Sequence, residues 1–354
     1  MASGEHVTDR RDVRTRVQQA LDGFLTRHRA HLDEMGPELA PLADALHDYV
    51  SGGKRMRPVF CVWGCLGAGG EDSEALLVAA SSLELFQACA ILHDDVMDAS
   101  DTRRGKPSAH RAFAALHRES GWYGDADAFG AGAAILLGDL ALAWSDEMLT
   151  ASGLATPAAL AVFSDMRADV VGGQYLDLLE QVRGASSVAS ALRVAHWKAA
   201  KYTVERPLHL GAALAGAEPA VYAAYSAYGL PLGEAFQLRD DVLGVFGDPA
   251  VTGKPAGDDL REGKRTALVA MALEQATPAQ QDLVRRHLGD PHLDGGGVAA
   301  LREVLVETGA VARVEDLITQ RADQALAALH QAPITAEAAE VLAELAVAAT
   351  SRST

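Results

Sequence analysis

Residues 83–98 read LELFQACAILHDDVMD, and this stretch says more about the fold than any other in the chain. From Leu83 to Leu92 it is mostly apolar and has neither proline nor glycine, which predicts a buried α-helix. Residues four apart share one helix face, so Asp94 and Asp98 are expected to point the same way. Carboxylates this close repel each other unless a cation neutralises them, and all-oxygen ligands suit Mg²⁺. A solvated acidic helix end is the other interpretation, and it fits an apolar helix less well.

A second acidic cluster lies in the other half of the chain, where residues 236–249 read FQLRDDVLGVFGDP. Asp240 and Asp241 stand near the end of a segment that also has helical character. One turn further on, where a matching carboxylate would stand, the residue is Gly244. We therefore expect Asp240 to bind a metal ion directly, with Asp241 and Asp248 in support. For Asp248, a role as a turn residue before a proline is equally open.

Basic residues accompany both acidic clusters. The run GGKRMRP at residues 52–58 has two glycines that let the backbone approach a ligand closely. Lys54 and Arg57 then offer a point charge and a planar fork, a pair suited to phosphate. Further cations follow the two acidic clusters: Arg103, Arg104, Lys254 and Lys264. In a chain with net charge −17, cations beside both clusters indicate an anionic ligand held together with metal.

Six segments together resemble the trans-type (head-to-tail) isoprenyl diphosphate synthases, and most closely the bacterial geranylgeranyl diphosphate synthases. They are GGKRMRP (52–58), LHDDVMD (92–98), RRGKP (103–107), GGQYLDL (172–178), FQLRDDVLGVFGDP (236–249) and TGKP (252–255), in the family's order. The resemblance implies an all-α fold, a single large helical bundle around a central cavity. It also implies Mg²⁺-dependent condensation of an allylic diphosphate with isopentenyl diphosphate, with release of diphosphate.

The same resemblance implies roles for individual residues. Asp94 and Asp98 would bind two Mg²⁺ ions and Asp240 a third. The implied catalytic set is Asp94, Asp95, Asp98, Asp240, Asp241, Lys198, Gln174 and Asp177, with Asp95 and Asp241 holding water or supporting contacts. Arg103, Lys198 and Lys254 would grip the allylic diphosphate, and Lys54, Arg57, Gln87 and Arg104 the isopentenyl diphosphate. Tyr202 and Thr203 would lie near the reacting region, Phe236 and Gln237 beside the isopentenyl pocket, and Lys264 among the substrate-binding cations.

The chain departs from the family pattern at two positions. The second motif commonly reads DDxxD, and here Gly244 replaces its last aspartate. The residue after Lys198 is often a hydroxyl residue, and here it is Ala199. Both departures predict weaker metal or diphosphate binding while leaving Asp240 in place. His93 is a candidate base for the final proton loss, but we interpret it as a structural hydrogen-bonding residue.

Side chains just before the first acidic cluster are expected to set the product length. The growing chain should run towards the N-terminus of this helix, where one turn rises about 5.4 Å, roughly one isoprene unit. Cys89 and Ala90 are small and leave the first turn open, whereas Phe86 is the candidate floor, with ordinary core packing as its other role. In the family, bulk directly before the first motif implies a C15 product. We therefore expect C20 geranylgeranyl diphosphate, with C25 or longer as the main alternative and C15 as another.

Two other classes of protein remain as alternatives. A class I terpene cyclase also has an aspartate-rich motif, but its usual second metal motif is not evident after Phe236. Such a cyclase also has no use for a second diphosphate site built on Lys54 and Arg57. A non-catalytic prenyltransferase subunit is the other alternative, and the mostly intact motifs argue against it.

The motifs of one site lie in both halves of the chain, and no Pro/Gly/Ser-rich linker divides it. We therefore expect one all-α domain over residues 11–354, preceded by a disordered tail at 1–10. The face Val13, Val17, Leu21, Phe24 and Leu25 predicts a first helix. Further helices are expected at 38–50, 59–66, 73–93, 129–150, 157–181, 187–215, 219–246, 264–275, 278–288, 298–308, 310–330 and 335–350. Residues 247–263 are expected to form a lid carrying Lys254.

Composition predicts where the protein works and what it avoids. The net charge of −17 argues against nucleic-acid binding. The start of the chain is charged, and the most apolar stretch, Ala131 to Trp144, is interrupted by Asp139, so no signal peptide or integral membrane segment is expected. Three cysteines imply no disulfide framework and fit the cytoplasm. The family resemblance implies a homodimer, for which helix 129–150 could form the interface.

Overall fold

The computed structural model describes residues 10–183, 187–247 and 257–350. These residues are almost entirely helical, which confirms the all-α prediction. The helices are α1 (Val13–Met35), α2 (Ala40–Val50), α3 (Met56–Gly67), α4 (Glu74–Met97), α5 (Ala109–Glu119), α6 (Ala126–Ala151), α7 (Pro157–Arg183), α8 (Val188–Val194), α9 (Arg206–Leu214), α10 (Pro219–Phe246), α11 (Asp258–Arg261), α12 (Ala267–Gln275), α13 (Pro278–His287), α14 (Gly295–Glu307), α15 (Ala310–Leu329) and α16 (Ala336–Thr350). The other elements of the described residues are a π-helical segment (Ala195–Glu205), two short 3₁₀ turns (Arg10–Asp12 and Pro37–Leu39) and two strands, β1 (Thr102–Arg103) and β2 (Lys106–Pro107).

The chain forms two compact units. The first comprises Met1–Leu160 with Leu210–Ala217, and the second comprises Ala161–His209 with Glu218–Thr354. Each unit is therefore assembled from two separate stretches of sequence. One domain over residues 11–354 stays a prediction. The expected tail lies outside the described residues apart from residue 10, which begins a 3₁₀ turn.

Helix α4 is central to the first unit, where it packs against α1, α2, α3, α5 and α6. Its N-terminus is capped by Ser73, whose hydroxyl accepts a hydrogen bond from the backbone N–H of Leu76. The helix extends to Met97, beyond its expected end at residue 93, and Asp98 is its C-cap. Both carboxylates of the Asp94–Asp95 pair are thus carried on the last helical turn. The expected face of α1 (Val13, Val17, Leu21, Phe24 and Leu25) is buried, which confirms that pattern.

Two elements of the first unit were not expected from the sequence. Strands β1 and β2 pair antiparallel, with Arg103 opposite Lys106. The two residues between them, Arg104 and Gly105, have φ angles of 52° and 76°, as two-residue hairpin turns require. Helix α5 was also missed, although its buried Ala109, Phe113, Ala114 and His117 repeat at helical spacing. The hairpin fixes the direction in which Arg103 and Arg104 leave the backbone.

Helix α10 is central to the second unit and packs against α15 and the π-helical segment. A Cβ atom on Gly233 would lie 2.4 Å from Ala200 Cα, so only glycine allows this close approach. The sequence predicted a single α-helix over 187–215. The structure instead has α8, the π-helical segment and α9 in succession. The wider π-helical turn differs too little in hydrophobic periodicity from an α-helix to be recognised from sequence.

The segment expected to form a lid is only partly described. Residues 248–256, which include Asp248 and Lys254, lie outside the described residues. The described end of the segment forms a helical turn, α11. Helix α14 begins at Gly295 rather than 298, because the Asp294 side chain caps it by accepting from Gly297 N–H.

Among the described residues, two helices are long and apolar enough to cross a membrane, by length and composition alone. In α4 72% of the most apolar window is buried, as in the core helix of a soluble protein, whereas in α6 only 28% is buried. Helix α6 is longer than the apolar run Ala131 to Trp144 suggested. Two such helices are weak grounds for a membrane protein, and the absence of a membrane segment stays a prediction.

Candidate functional site

Asp95 is the most deeply buried aspartate of the first acidic cluster, and both its carboxylate oxygens accept hydrogen bonds from protein side chains. It is 1% exposed. Its Oδ2 accepts from Tyr49 Oη at 3.1 Å, and its Oδ1 accepts from Arg103 Nε at 2.9 Å. Burial, together with the Asp95 charge, raises the pKa of Tyr49. The hydroxyl therefore stays protonated and is the donor in its hydrogen bond to Asp95. Asp95 thus fastens the β1–β2 hairpin to α4.

Asp94 and Asp98 are half-buried at the C-terminal end of α4. The C-terminus of a helix carries partial negative charge, and cations rather than carboxylates are stabilising there. The last turn of α4 has no basic residue of its own. Two carboxylates on such a helix end suit a divalent cation, which would offset both their mutual repulsion and the helix dipole.

Arg55 is a buried structural residue in the middle of the GGKRMRP run. It is 3% exposed and forms an ion pair with Glu84 of α4, which is 8% exposed. Its guanidinium also donates to Gln18 Oε1 and to the carbonyl oxygen of Val50. Sequence reasoning gave Arg55 no role. The available signal was Glu84, the only acid in the apolar stretch Leu83 to Leu92.

The loop that carries Gly52 and Gly53 contacts the β1–β2 hairpin in the first unit. Arg104 is exposed and donates to the carbonyl oxygens of Tyr49 at 3.2 Å and Ser51 at 3.4 Å. Partial desolvation lowers the pKa of Arg104; the Glu84 charge opposes this shift, and the neighbouring charges of Arg55 and Arg103 add to it. Cations that destabilise one another in this way are well placed to bind an anion. Three other predicted site residues belong to the same unit: Lys54 is exposed in the loop, while Arg57 of α3 and Gln87 of α4 are half-buried.

His93 lies against α6 rather than acting as an obvious base. Its Nε2 is 3.1 Å from the carbonyl oxygen of Ile135. A Cβ atom on Gly138 would lie 2.2 Å from the same nitrogen, so this glycine makes room for the ring. Cys89 lies on the same side of α4, with its Sγ 3.8 Å from His93 Nδ1. The contacts of His93 are those of a structural hydrogen-bonding residue.

The second acidic cluster centres on Asp241, which is 7% exposed. Its Oδ1 accepts from Gln237 Nε2 at 2.8 Å. Burial raises the pKa of Asp241 to about 7; the Gln237 hydrogen bond opposes this, and the charges of Asp259 and Asp240 add to it. Burial and the neighbouring carboxylates both disfavour the charged form of Asp241 in the protein alone. A divalent cation would offset the repulsion among these carboxylates.

The π-helical segment presents Lys198 to α7 in the second unit. Lys198 Nζ donates to Asp177 Oδ2 at 2.7 Å. A Cβ atom on Gly173 would lie 2.4 Å from the backbone nitrogen of Lys198, so glycine is needed for α7 to pack here. Gln174, one residue on, has a buried amide nitrogen without a hydrogen-bond partner, which leaves a donor available to a ligand. Tyr202 and Thr203, from the same π-helical segment, are buried.

Within the described ranges, no group of three or more histidine, cysteine, aspartate or glutamate side chains forms a ready-made metal cage. The pairs of carboxylates in the two acidic clusters suit Mg²⁺, which dehydrates reluctantly and is commonly held by one or two carboxylates, with waters and phosphate oxygens completing its shell. The charge on each acidic cluster and the cations beside it therefore fit a magnesium–diphosphate ligand better than a metal ion alone.

A profile of the polyprenyl synthetase family matches residues 40–305, three quarters of the chain. The chain belongs to the polyprenyl synthetase family. It is a trans-prenyltransferase enzyme, and its fold and activity class confirm the resemblance seen in the sequence.

Three similar proteins illustrate the family. A geranylfarnesyl diphosphate synthase of Aeropyrum pernix is 32% identical over 306 residues, covering 84% of this chain and 90% of that protein. A geranylgeranyl diphosphate synthase of Mycobacterium tuberculosis is 33% identical over 287 residues, covering 80% and 76%. The crystal structure of a Corynebacterium glutamicum geranylgeranyl pyrophosphate synthase, complexed with isoprenyl diphosphate and magnesium, has 43% identity and a TM-score of 0.91, covering 95% and 98%. These names stand for products of different length.

The candidate chain-length residues of this polyprenyl synthetase lie on α4. Phe86 and Cys89 are buried, at 3% and 5% exposed, and Ala90 is half-buried. Phe86, Ala90 and Asp94 follow one another at intervals of four, so they form one stripe along the helix. The Cys89 side chain is turned towards His93 instead. Phe86 thus lies on the same face of α4 as Asp94.

Two further acids lie beside the second cluster and were not among the predicted site residues. The Asp259 carboxylate on α11 lies against Gly244, and Glu262 Oε2 lies 2.6 Å from Lys264 Nζ. Lys264 Nζ is also 3.4 Å from Asp259 Oδ1. The signal that could have found them is the run GDDLREGK at residues 257–264, which repeats the pairing of acid with base.

Proposed function

We propose that this synthetase condenses isopentenyl diphosphate with an allylic diphosphate of C5, C10 or C15 to give C20 geranylgeranyl diphosphate, with release of diphosphate. The observation that carries the proposal is the Arg103–Asp95 pair, which fastens a cationic hairpin beside the acidic end of α4. Anion-binding and cation-binding groups are thereby held side by side in one unit. The 43% identity to a geranylgeranyl pyrophosphate synthase supports the C20 product.

In this proposal Asp94 and Asp98 are ligands for two Mg²⁺ ions and Asp240 for a third. Bound Mg²⁺ supplies charge neutralisation for the diphosphate leaving group. The allylic diphosphate is held by Arg103, Lys198 and Lys254, with Lys264 as a further cation. Isopentenyl diphosphate is held by Lys54, Arg57, Gln87 and Arg104, and Phe236 and Gln237 border its pocket. Asp95 and Asp241 support these groups through their contacts with Arg103 and Gln237.

The Lys198–Asp177 ion pair prepares the second unit for the allylic diphosphate. Asp177 holds the flexible lysine side chain in one orientation before substrate arrives, which lowers the entropy lost on binding. The buried amide of Gln174 lies one helical turn before Asp177 on α7 and offers its unpartnered donor to the reacting region. Tyr202 and Thr203 are buried in the same π-helical segment as Lys198. Fixed donors of this kind stabilise negative charge that develops in the transition state.

The test is product chromatography with labelled isopentenyl diphosphate and each of the C5, C10 and C15 primers, with Mg²⁺ and with EDTA. We expect C20 product from all three primers and none in EDTA. Mainly C15 product, or mainly C25 and longer, would contradict the assigned length. Hydrocarbon formed without isopentenyl diphosphate would identify a cyclase, and turnover only beside a second protein would identify a subunit.

Replacing Phe86 with alanine is expected to lengthen the product. The buried phenyl ring is removed from the stripe that leads back from Asp94, so the chain can grow by at least one further isoprene unit. The matched control is Phe24→Ala on α1, because Phe24 is also buried, at 2% exposed. Both variants should lose about 3–5 kcal/mol of stability, but only Phe86→Ala should change the chromatogram. Unchanged C20 product from Phe86→Ala would place the floor elsewhere.

The enzyme is a homodimer in this proposal, joined through α6. The described part of this apolar helix exposes Phe129, Ile135 and Leu136, with Leu136 64% exposed. Water-exposed apolar side chains on one helix are typical of a surface that a second subunit covers.

Leu136→Glu is therefore expected to convert the dimer to a monomer, since it places a charge within the apolar contact. Analytical ultracentrifugation measures the change. Val306→Glu on α14 is the control, because Val306 is also exposed, at 58%, but lies in the second unit. A wild-type protein that sediments as a monomer would disprove the dimer. Equal effects of the two substitutions would exclude α6 as its interface.

A further inference from the structure

The π-helical segment that carries Lys198 is eleven residues long, whereas π-helical turns mostly occur singly inside α-helices, and often at functional sites. A conformation this rare must be stabilised by contacts with its neighbours. Four residues of α7 lie at intervals of four and share one face of that helix: Asp165, Asp169, Gly173 and Asp177. This face meets the segment, since a Cβ atom on Gly173 would lie 2.4 Å from the backbone nitrogen of Lys198. Its acids are therefore placed to pair with the bases of the segment.

Ion pairs join this face of α7 to bases in the segment and directly after it. Asp177 Oδ2 accepts from Lys198 Nζ at 2.7 Å. Two turns earlier on α7, Asp169 Oδ2 accepts from Arg206 Nε at 2.7 Å and lies 4.0 Å from Lys201 Nζ. Arg206 begins α9, the helix that follows the segment. The two elements thus pair in opposite chain directions, and the pairs fix the register of the segment against α7.

Glu205, the last residue of the segment, is a buried acid that is 3% exposed. Its carboxylate accepts from Lys201 Nζ at 3.0 Å and from Ser226 Oγ of α10 at 2.7 Å. Burial raises the pKa of Glu205, but these two hydrogen bonds and the His209 charge outweigh it and lower the pKa below its ordinary value. The carboxylate therefore stays ionised at neutral pH and pairs with the Lys201 ammonium. Lys201 is in this way held between Glu205 and Asp169.

Direct contact of Lys201 with substrate is the competing explanation, since a lysine can also bind diphosphate. Its surroundings argue against this role. The Lys201 side chain is only 14% exposed, and its Nζ lies 5.0 Å from the centre of the Trp197 ring. Two carboxylates and an aromatic face already surround the ammonium, and each would lose a favourable contact if it moved to a ligand.

We propose that Lys201, held by Asp169 and Glu205, is a positioning residue that keeps the segment π-helical and thereby directs Lys198 to the allylic diphosphate. A change to the tighter α-helical turn rotates the residues on one side of the change relative to those on the other. Lys198 would then leave the position in which Asp177 holds it. The inference rests on the proposed function, because it takes Lys198 as a cation of the allylic site. It adds residues that lie outside the six motifs of the family.

The experiment measures the KM for the C10 allylic primer and the KM for isopentenyl diphosphate separately. Asp169→Asn keeps the size of the side chain but removes the charge that holds Arg206 and Lys201. The KM for the primer should rise by about tenfold, as expected when one charge-assisted contact with the diphosphate is lost. The KM for isopentenyl diphosphate should stay within about twofold of wild type, because Lys198 does not hold that substrate.

Asp165→Asn is the matched control, because it makes the same substitution one turn earlier on the same face of α7. The Asp165 side chain is 63% exposed and lies 3.6 Å from Arg206 Nη1. An exposed pair of this kind contributes little, so both KM values should stay within about twofold of wild type. Hydrogen exchange of the backbone amides of residues 195–205 should quicken in Asp169→Asn and not in Asp165→Asn.

Two variants of Lys201 and one of Glu205 test the role of the lysine itself. Lys201→Met should raise the KM for the primer by about tenfold, whereas Lys201→Arg keeps the charge and should restore it to within a few-fold of wild type. Glu205→Gln should raise the same KM, because it loosens Lys201. If Lys201 bound diphosphate directly, Glu205→Gln would leave that KM unchanged or lower it, and the inference would be overturned. Unfolding temperatures show which variants are folded, and Asp169→Asn and Glu205→Gln decide the question if Lys201→Met is not.

The outcome for wild-type enzyme separates this inference from the proposed function. If wild type transfers no allylic group to isopentenyl diphosphate, the proposed function itself fails. If wild type is active and folded Asp169→Asn has an unchanged KM for the primer, only the positioning role fails. Equal rises in the two KM values, or equal effects of Asp165→Asn and Asp169→Asn, would also overturn it, because they indicate general loosening of the protein.

Discussion

Asp94→Asn is expected to lower kcat by about 10³-fold or more, because a divalent ion that neutralises the leaving group contributes several kcal/mol to the transition state. Asparagine has nearly the same size and keeps the helix intact, but it lacks the charge that holds the ion. Steady-state assays with an allylic primer and labelled isopentenyl diphosphate measure the loss. Substrate binding should weaken as well, since the Mg²⁺ also links the protein to the diphosphate.

The control for this substitution is Asp101→Asn. Asp101 lies a few residues after the same motif, but its exposed carboxylate pairs with Arg111 Nε at 2.8 Å. An exposed pair of this kind contributes at most about 1 kcal/mol, so activity should remain close to that of wild type. If Asp94→Asn kept a tenth of the wild-type activity or more, Asp94 could not be an essential metal ligand.

Arg55→Met is expected to lower the free energy of unfolding by about 3–5 kcal/mol, because it leaves the Glu84 carboxylate buried without its partner. The backbone should not add to the loss, since methionine replaces another non-glycine residue at the same positive φ of 52°. Urea denaturation followed by circular dichroism measures the change.

A second substitution distinguishes lost pairing from lost packing. In Arg55→Met/Glu84→Leu the buried charge is removed with its partner, and replacing a buried ion pair by apolar residues is often nearly neutral. The double variant should therefore recover most of the stability. Lys106→Ala is the surface control: its ion pair with Asp48 is exposed, so it should cost about 1 kcal/mol or less. An Arg55→Met variant no less stable than Lys106→Ala would contradict a structural role for Arg55.

Local spacing was enough to predict most of the helices. The faces of α1 and the apolar run of α4 repeat at helical intervals, and such repeats depend only on residues near one another in the chain. Two elements of the first unit were missed for other reasons. Helix α5 carries several basic and histidine residues, and the β1–β2 hairpin depends on two positive φ angles at Arg104 and Gly105.

The types of residue in the candidate site were also visible in the sequence. Acidic clusters followed by cations indicate metal with diphosphate, and the order of six motifs identified the family. What spacing could not show is which member of a motif binds ligand and which holds the structure. In the GGKRMRP run, Arg55 is buried and pairs with Glu84. In the first acidic cluster, Asp95 accepts hydrogen bonds from Arg103 and Tyr49.

The sequence by itself determined the helical class, the family and the chemistry, because these depend on residue types and on spacing along one helix. Only the tertiary structure decided which charges face each other, because partners such as Arg55 and Glu84 come from separate parts of the chain. The same reason explains why the sequence could not show what lies beside Gly244. In the sequence it reads as a missing acid, and only the packing of α11 against α10 brings the Asp259 carboxylate into the space it leaves.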